Sequence, residues 1–296
     1  MIPLLFGAAA LWGLGNLSEA ERKASQANNI NEQAAAIADT ANKNAKQAHE
    51  EMVQILKSLG TTKMELMSGN INDVADVMGN VYKNFRLNHD TEGLKELEDA
   101  GFNELMLNEL QTLSTKAIEL STTTEFITAN NGAFCAIGAL GGIVLGAGII
   151  AAPAMLIYSF MKSDESEAAL YEAKTRLDEA KYYAERSKNI CALFNAITNR
   201  GKQIDTLLNQ LNEYFTPAVQ EMNSIKNQYH YDYNNYPDEG KAILFYSWQI
   251  AQTVKTIIDT SMVHEDWSIN LDLDKPVEIG KQTIALLSDG NQLVWR

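Results

Sequence analysis

Residues 126–161 carry no charged side chain and no histidine. Within them, residues 132–161 read GAFCAIGALGGIVLGAGIIAAPAMLIYSFM, in the middle of an otherwise polar chain. A segment of this kind has to be kept from water, and residues 133–161 exceed the 20 or so that a membrane-spanning helix needs. Gly138, Gly142 and Gly146 recur every four residues. That spacing puts three notches on one helix face, a glycine zipper along which a second helix can lie closely. Glycine costs about 1 kcal/mol against alanine inside a helix, so the repeat calls for a packing reason. Pro153 bends or ends the helix. Alternatively, a turn at Gly141-Gly142 makes the stretch a short hairpin. Two shelters would serve it: a bilayer, or the centre of a helical bundle, where a helix is also apolar all round.

The flanking sequence supplies helices long enough to provide such a bundle. From residue 18 to residue 59 there is no proline and no glycine. Ala20, Ala24, Ala27, Asn31, Ala34, Ala38, Ala41, Ala45, Ala48, Met52, Ile55 and Leu59 follow one another in alternating steps of four and three, which is a heptad seam. A second seam runs through Leu170, Ala173, Leu177, Ala180, Ala184, Ser187, Cys191, Phe194 and Thr198. Ser163 and Ser166 can cap its helix, with Asp164, Glu165 and Glu167 in the first turn. Small seam residues bury little area each but let two backbones approach closely. The two long helices are therefore expected to pack on each other or on a common neighbour, with Gly60 and Arg200-Gly201 marking breaks.

Shorter helices fill the remainder. Met64, Met67, Val74, Val77, Val81 and Phe85 predict one over 62–86, followed by a loop at LNHDTEG. Leu105, Leu110, Leu113, Ala117 and Leu120 predict another leading into the apolar stretch. Ile204, Leu207, Leu208, Leu211 and Phe215 mark another helix, interrupted near Pro217. YHYDYNNYPDEG, residues 229–240, reads as an aromatic loop. Ile243, Trp248, Ala251, Val254 and Ile258 form a stripe on an amphipathic helix over 242–262. The tail from Trp267 holds the turn signals DKP and SDG and is compatible with short strands or a final small helix.

The resulting expectation is an all-α protein: an elongated bundle of long antiparallel helices, a central apolar helix or hairpin, and a small irregular C-terminal region. Its divisions are an apolar N-terminal segment (1–17), the first half of the bundle (18–131), the apolar segment (132–161), long returning helices (162–228), and the aromatic loop, amphipathic helix and tail (229–296). The N-terminal segment, MIPLLFGAAALWGLGNL, lacks the basic residues that open a secretory signal and is too short to span a bilayer. A docking or membrane-inserting role suits it better. Location is therefore expected to be cytoplasmic or membrane-associated, with no secure signal for secretion.

Charge narrows the partners. A net charge of −14 argues against nucleic acid and against docking on anionic lipid through a polybasic patch. The cysteines, Cys135 and Cys191, are too few for a disulfide framework. No catalytic or metal constellation is readable, so neither an enzyme nor a cofactor is expected. His49 has no second histidine four residues on; His230 and His264 stand beside acids without convergence. Gly201-Lys202, Gly240-Lys241 and Gly280-Lys281 lack the remainder of a phosphate loop, and Asp272 and Asp274 that of a calcium loop. Tyr229, Tyr231, Tyr233 and Tyr236 are either a contact surface for a protein partner or headgroup layer, or rings packed against the bundle end.

The order of seam (20–59), apolar head (126–161) and returning seam (163–199) resembles the layout of the α-helical pore-forming toxins. That resemblance implies a soluble form that rearranges, inserts and oligomerises. QAAAIADTANKNAKQ is similar to chemoreceptor coiled coils in composition only. The function expected is a non-enzymatic, membrane-active helical protein that inserts residues 133–161, with the lipid bilayer and its own copies as partners. The alternative is a soluble helical scaffold or partner-binding protein whose apolar helix stays buried.

Overall fold

The computed structural model describes residues 6–122, 166–264 and 268–288. The protein is all-α. In chain order come α1 (Phe6–Leu66), a π-helical turn (Met67–Ile71), α2 (Asn72–Leu87), α3 (Thr91–Asp99), α4 (Glu104–Thr122), α5 (Ser166–Tyr229), a 3-10 turn (Tyr233–Asn235), α6 (Asp238–Asp259), a second 3-10 turn (Leu271–Leu273) and α7 (Asp274–Ser288). No strand occurs among the described residues; a single antiparallel bridge joins Val263 and Ile269. The described residues form two compact units. The first takes the chain up to Met52 and from Ser166 to Asn195; the second takes Val53 to residue 122 and everything from Ala196 on.

The first unit is built on the two seams. On α1 the side chains of Ala27, Ala34, Ala41 and Ala48 are buried, one per heptad. On α5 the same holds for Ala173, Ala180, Ser187 and Phe194. The alternate seam positions, Asn31, Ala38 and Ala45 on α1 and Leu177, Ala184 and Cys191 on α5, are half-buried, while Ala24 is exposed. The pairing direction corrects an expectation. Ser187 on α5 meets Ala41 on α1, and the Phe194 ring meets His49 in an edge-on contact at 5.5 Å. Both residue numbers rise together, so the long helices run parallel, residue i of α1 standing against about i+146 of α5. The antiparallel arrangement is excluded because it would require the second number to fall as the first rises.

In the second unit Gly201 on α5 lies against Ile55, Asp205 against Ser58 and Thr62, and Asn212 against Asn70, so that pairing is parallel too. The shorter helices supply the antiparallel partners. On α2 and α4, Tyr82 meets Glu104 while Gly79 meets Leu107 and Gln111, one number rising as the other falls. This reversal turns the chain back between the long helices, which is what permits them to be parallel. The centre of the unit is α6, nearly enclosed: Leu244, Trp248, Ile250, Ala251, Val254 and Ile258 have no measurable exposure. Trp248 donates its indole N–H to the Gly101 carbonyl at 3.3 Å, so its one polar atom is satisfied there.

Several expected boundaries move. α1 begins in the N-terminal segment and passes through Gly60 without a break, and α5 passes through both Gly201 and Pro217. Gly201 is a point of close approach instead of a break: a Cβ there would sit 2.7 Å from Ile55 Cγ2. LNHDTEG contains a turn at His89, in left-handed geometry (φ 52°), but its end already belongs to α3, whose first turn is capped by Asp90 accepting from the Gly93 amide at 2.8 Å. On α4 the buried stripe is Leu107, Leu110, Ser114 and Ala117, and Leu105 is exposed. The tail resolves as a helix: Pro276 sits in the first turn of α7, where its missing N–H costs nothing.

Replacing Gly201 with alanine is expected to lower stability by about 1–3 kcal/mol through overpacking, although alanine is the better helix former. Thermal unfolding measures it, and the loss should shrink in an Ile55→Ala background, giving a coupling of about 1 kcal/mol.

Candidate functional site

The feature with the most functional content is the interface between α1 and α5, and its chemistry differs between the units. In the first unit it is made of methyl groups. An alanine methyl contributes about 1 kcal/mol on burial, against about 1.5–3 for a leucine side chain. What small residues allow is proximity: Ser187 Oγ, fully buried, donates to the main-chain carbonyl of Ala41 at 2.9 Å. Beside this seam lies an open groove of about 870 Å³, lined by Ala36, Thr40 and Asn44 on α1 and by Ala184, Lys188 and Cys191 on α5. Of the predicted seam residues, Ala34, Ala41, Ala173 and Ala180 are buried, while Ala38, Ala45 and Ala184 flank the contact half-buried.

In the second unit polar side chains join α5 and the residues just after it to α1, to the π-helical turn and to α2 in succession. Ser58 and Thr62 both donate to the Asp205 carboxylate, at 3.0 and 2.7 Å. Asn70 Nδ2 donates to Asn212 Oδ1 and Thr216 Oγ1, at 2.8 and 2.9 Å. Asn223 Nδ2 donates to Asp73 at 2.8 Å, and the Tyr231 hydroxyl to Asp76 at 3.2 Å. The neutral bonds at Asn70 net only about 0.5–1.5 kcal/mol each, and those to the carboxylates of Asp205, Asp73 and Asp76 about 1.5–3, because water competes for the same groups in the separated helices. Periodicity does not reveal such a ladder, since hydropathy marks each of these residues as surface.

Lys63, on α1, is buried, as is Lys255 on α6; the Lys63 ammonium donates to the Ile258 carbonyl at 3.1 Å. Burial pushes its pKa down to about 8, against the upward pull of Asp259. Lys255 engages Asp259 at 2.6 Å and Glu109 at 2.7 Å.

The tyrosines resolve toward packing. Tyr233 and Tyr236 are buried, with Tyr233 in edge-on contact with Phe85 and Phe245, its hydroxyl donating to Glu96 at 2.6 Å and the Lys241 ammonium over its ring. Burial first, then Glu96, pushes the Tyr233 phenol far above its ordinary range; burial pushes Tyr236 up to about 12. These two rings are therefore not an open partner surface. Tyr229 and Tyr231 are half-buried.

Gly138, Gly142, Gly146, Pro153 and Cys135 lie outside the described residues. Among the described residues no helix is long and apolar enough to cross a membrane, and no cluster of three metal-ligating side chains occurs. His49 is taken up by the contact with Phe194, and the His230 carbonyl accepts from the Tyr236 hydroxyl at 2.6 Å. No protein family matches the chain, and neither does any curated protein or solved structure.

Two measurements test these assignments. Ala41→Leu is expected to cost about 1–3 kcal/mol by overpacking the seam, and Ala36→Leu, at an exposed position of the same helix, less than about 0.5, read by chemical unfolding. Lys63 has a pH signature. Between about pH 8 and the ordinary lysine value of 10.5 the unfolded chain holds this proton and the folded protein does not, so stability rises with pH. The whole shift corresponds to about 3 kcal/mol. Tyr233 and Tyr236 act in the opposite sense above pH 10, where the unfolded tyrosines ionise first. Urea unfolding at pH 7.5 and 9.5 should therefore show a gain in the wild type that Lys63→Met lacks.

Proposed function

We propose that this is a non-enzymatic, membrane-active helical protein that inserts residues 133–161 into a bilayer after rearrangement and assembles there with its own copies into a pore. The observation that carries the reading is the uncharged, glycine-notched run of 126–161 between two long seam-bearing helices. The chemistry of the α1–α5 interface supports it. A pair joined by alanine methyls can part along the first unit at small cost in buried apolar area, and the bonds of Ser58 and Thr62 to Asp205 in the second can exchange with water, as a rearranging protein requires. The layout likeness to α-helical pore-forming toxins points the same way. Glycines spaced by four would let inserted copies pack closely.

A second reading, a partner-binding scaffold whose apolar segment stays buried, draws on the open groove of about 870 Å³ beside Ala36 and Cys191. The two part company on contact with lipid. The membrane-active protein should float with vesicles and release an entrapped dye; a scaffold should do neither. Gly142→Leu is expected to cut release about tenfold, the effect of about 1.4 kcal/mol of lost helix packing, with the melting temperature of the soluble form unchanged. A fall in melting temperature with no vesicle response in either protein would favour the scaffold.

A further inference from the structure

Beside the buried seam of the first unit runs a second set of columns that stays open. On α1, Ile30 and Ile37 precede Asn44 and Glu51 at steps of seven; on α5, Leu170, Leu177, Ala184 and Cys191 follow the same spacing. The two isoleucines and the four α5 residues are all half-buried. Ile37, Asn44, Ala184 and Cys191 line the groove of about 870 Å³ together, so the two columns share one flank of the pair. Residues seven apart keep to one face of a helix in a heptad pair, which carries Ile30, Leu170 and Leu177 onto the same flank. A half-exposed apolar strip therefore extends from Leu170 to Cys191, about 32 Å along the axis.

The rim of this flank is charged on one side. Lys188 lines the groove, and Lys181 and Lys174 stand seven and fourteen residues before it on α5, all three exposed. On the α1 side Thr40 and Gln47 line the groove, and Gln33 and Gln26 precede them at the same spacing. Neither rim column holds an acid over the length of the strip; on α1 the first is Glu51, at the far end of the groove. Lys181 and Lys188 contact Asp178 and Glu185, three residues back, at 3.5 and 3.1 Å, and neither acid lines the groove. Exposed pairs of this kind contribute under about 1 kcal/mol and yield readily to a better-placed carboxylate. In a chain of net charge −14, three lysines at one spacing beside an apolar strip are a local reversal of sign.

That combination selects the occupant. An apolar strip edged by lysines is complementary to an amphipathic helix with apolar residues at heptad spacing and a carboxylate every seven residues along one edge. A second copy presenting this same flank would bring either its own lysines or its column of Gln26, Gln33 and Gln47, and no acid. Residues 126–161 hold no acid at all. We infer that the flank carrying Ile30, Ile37, Leu170 and Leu177 docks one helix of a partner protein, its apolar face between α1 and α5 and its glutamates or aspartates against Lys174, Lys181 and Lys188. Larger apolar residues of that helix fit opposite Ala184 and Cys191, where the groove lies, and smaller ones opposite Ile30 and Leu177. Docking of this kind goes beyond the membrane-active reading, since it does not require residues 133–161 to insert, and it gives the scaffold reading a partner class.

The test titrates the full chain with fluorescent helical peptides about 21 residues long, with leucine or alanine at the seam positions and glutamate, glutamine or lysine along one edge. Anisotropy should show the glutamate peptides binding at least about tenfold more tightly than their lysine twins, with the difference shrinking as salt is raised. Lys174→Glu with Lys181→Glu and Lys188→Glu should reverse that preference. Lys174→Gln with Lys181→Gln and Lys188→Gln, which adds no repulsion with Asp178 and Glu185, should abolish it without lowering the melting temperature. Equal binding of all three edges, or a preference that survives both sets of substitutions, overturns the inference. So does the absence of binding by every peptide, whether the chain sediments as a monomer, its own segment lying over the strip, or as a dimer, a second copy lying there. Peptide binding and vesicle release are separate readouts, so docking and membrane insertion can each fail alone.

Discussion

The close approach of α1 and α5 is the constraint from which the other features follow. Two helices can share a buried hydrogen bond from a serine hydroxyl to a main-chain carbonyl only when nothing larger than a methyl group separates them, and Ser187 on Ala41 meets that condition. One small residue per heptad, Ala27, Ala34, Ala41 and Ala48 on one side and Ala173, Ala180 and Ser187 on the other, keeps the separation small along the first unit. Phe194 breaks the series and is accommodated by stacking edge-on with His49, a contact that also fixes the register. Proximity obtained this way gives specificity of alignment with modest apolar burial.

The second unit is stabilised differently. Its core is conventional, with α6 enclosed and Trp248, Phe215 and Leu211 free of solvent. Along α5 it turns polar, through Asp205 against α1, Asn212 against the π-helical turn and Asn223 against α2. Hydrogen bonds in such a ladder exchange readily with water, whereas the aliphatic and aromatic contacts of α6 do not. Lys63 adds a buried cation whose proton is held less firmly than in the unfolded chain. The proposed rearrangement thus has a natural division of labour within this unit: a core that persists, and a seam that opens.

The helical class, the two heptad seams and the central amphipathic helix could be read from periodicity, because alanine at steps of four and three records the face of a helix whatever its partner. Direction could not. A heptad pattern is the same read against a parallel or an antiparallel neighbour, and the return of the chain depends on the α2–α4 reversal, carried by contacts such as Tyr82 with Glu104. Gly60, Gly201 and Pro217 suggested breaks on local propensity, yet tertiary packing keeps the helices continuous, and at Gly201 the absent side chain is what lets Ile55 come near. The leucine stripe of α4 was displaced because Leu105, two residues before Leu107, lies on the opposite face of the helix and only Leu107 reaches the core. The tyrosine spacing alone fits either a surface or a core; Phe85, Phe245 and Glu96, distant in sequence, decide for the core at Tyr233.

Parallel alignment of the long helices is the claim on which the account of the seam depends, and a distance measurement between spin labels tests it most directly. Asn28 and Lys174, both exposed, stand opposite each other in the parallel register. Labels at these positions should lie within about 25 Å, given helix axes about 8–10 Å apart and the reach of the label arms. In an antiparallel pair holding Ala41 opposite Ser187, they would be displaced by a further 26 residues, about 39 Å along the axis. A distance in that longer range would contradict the account.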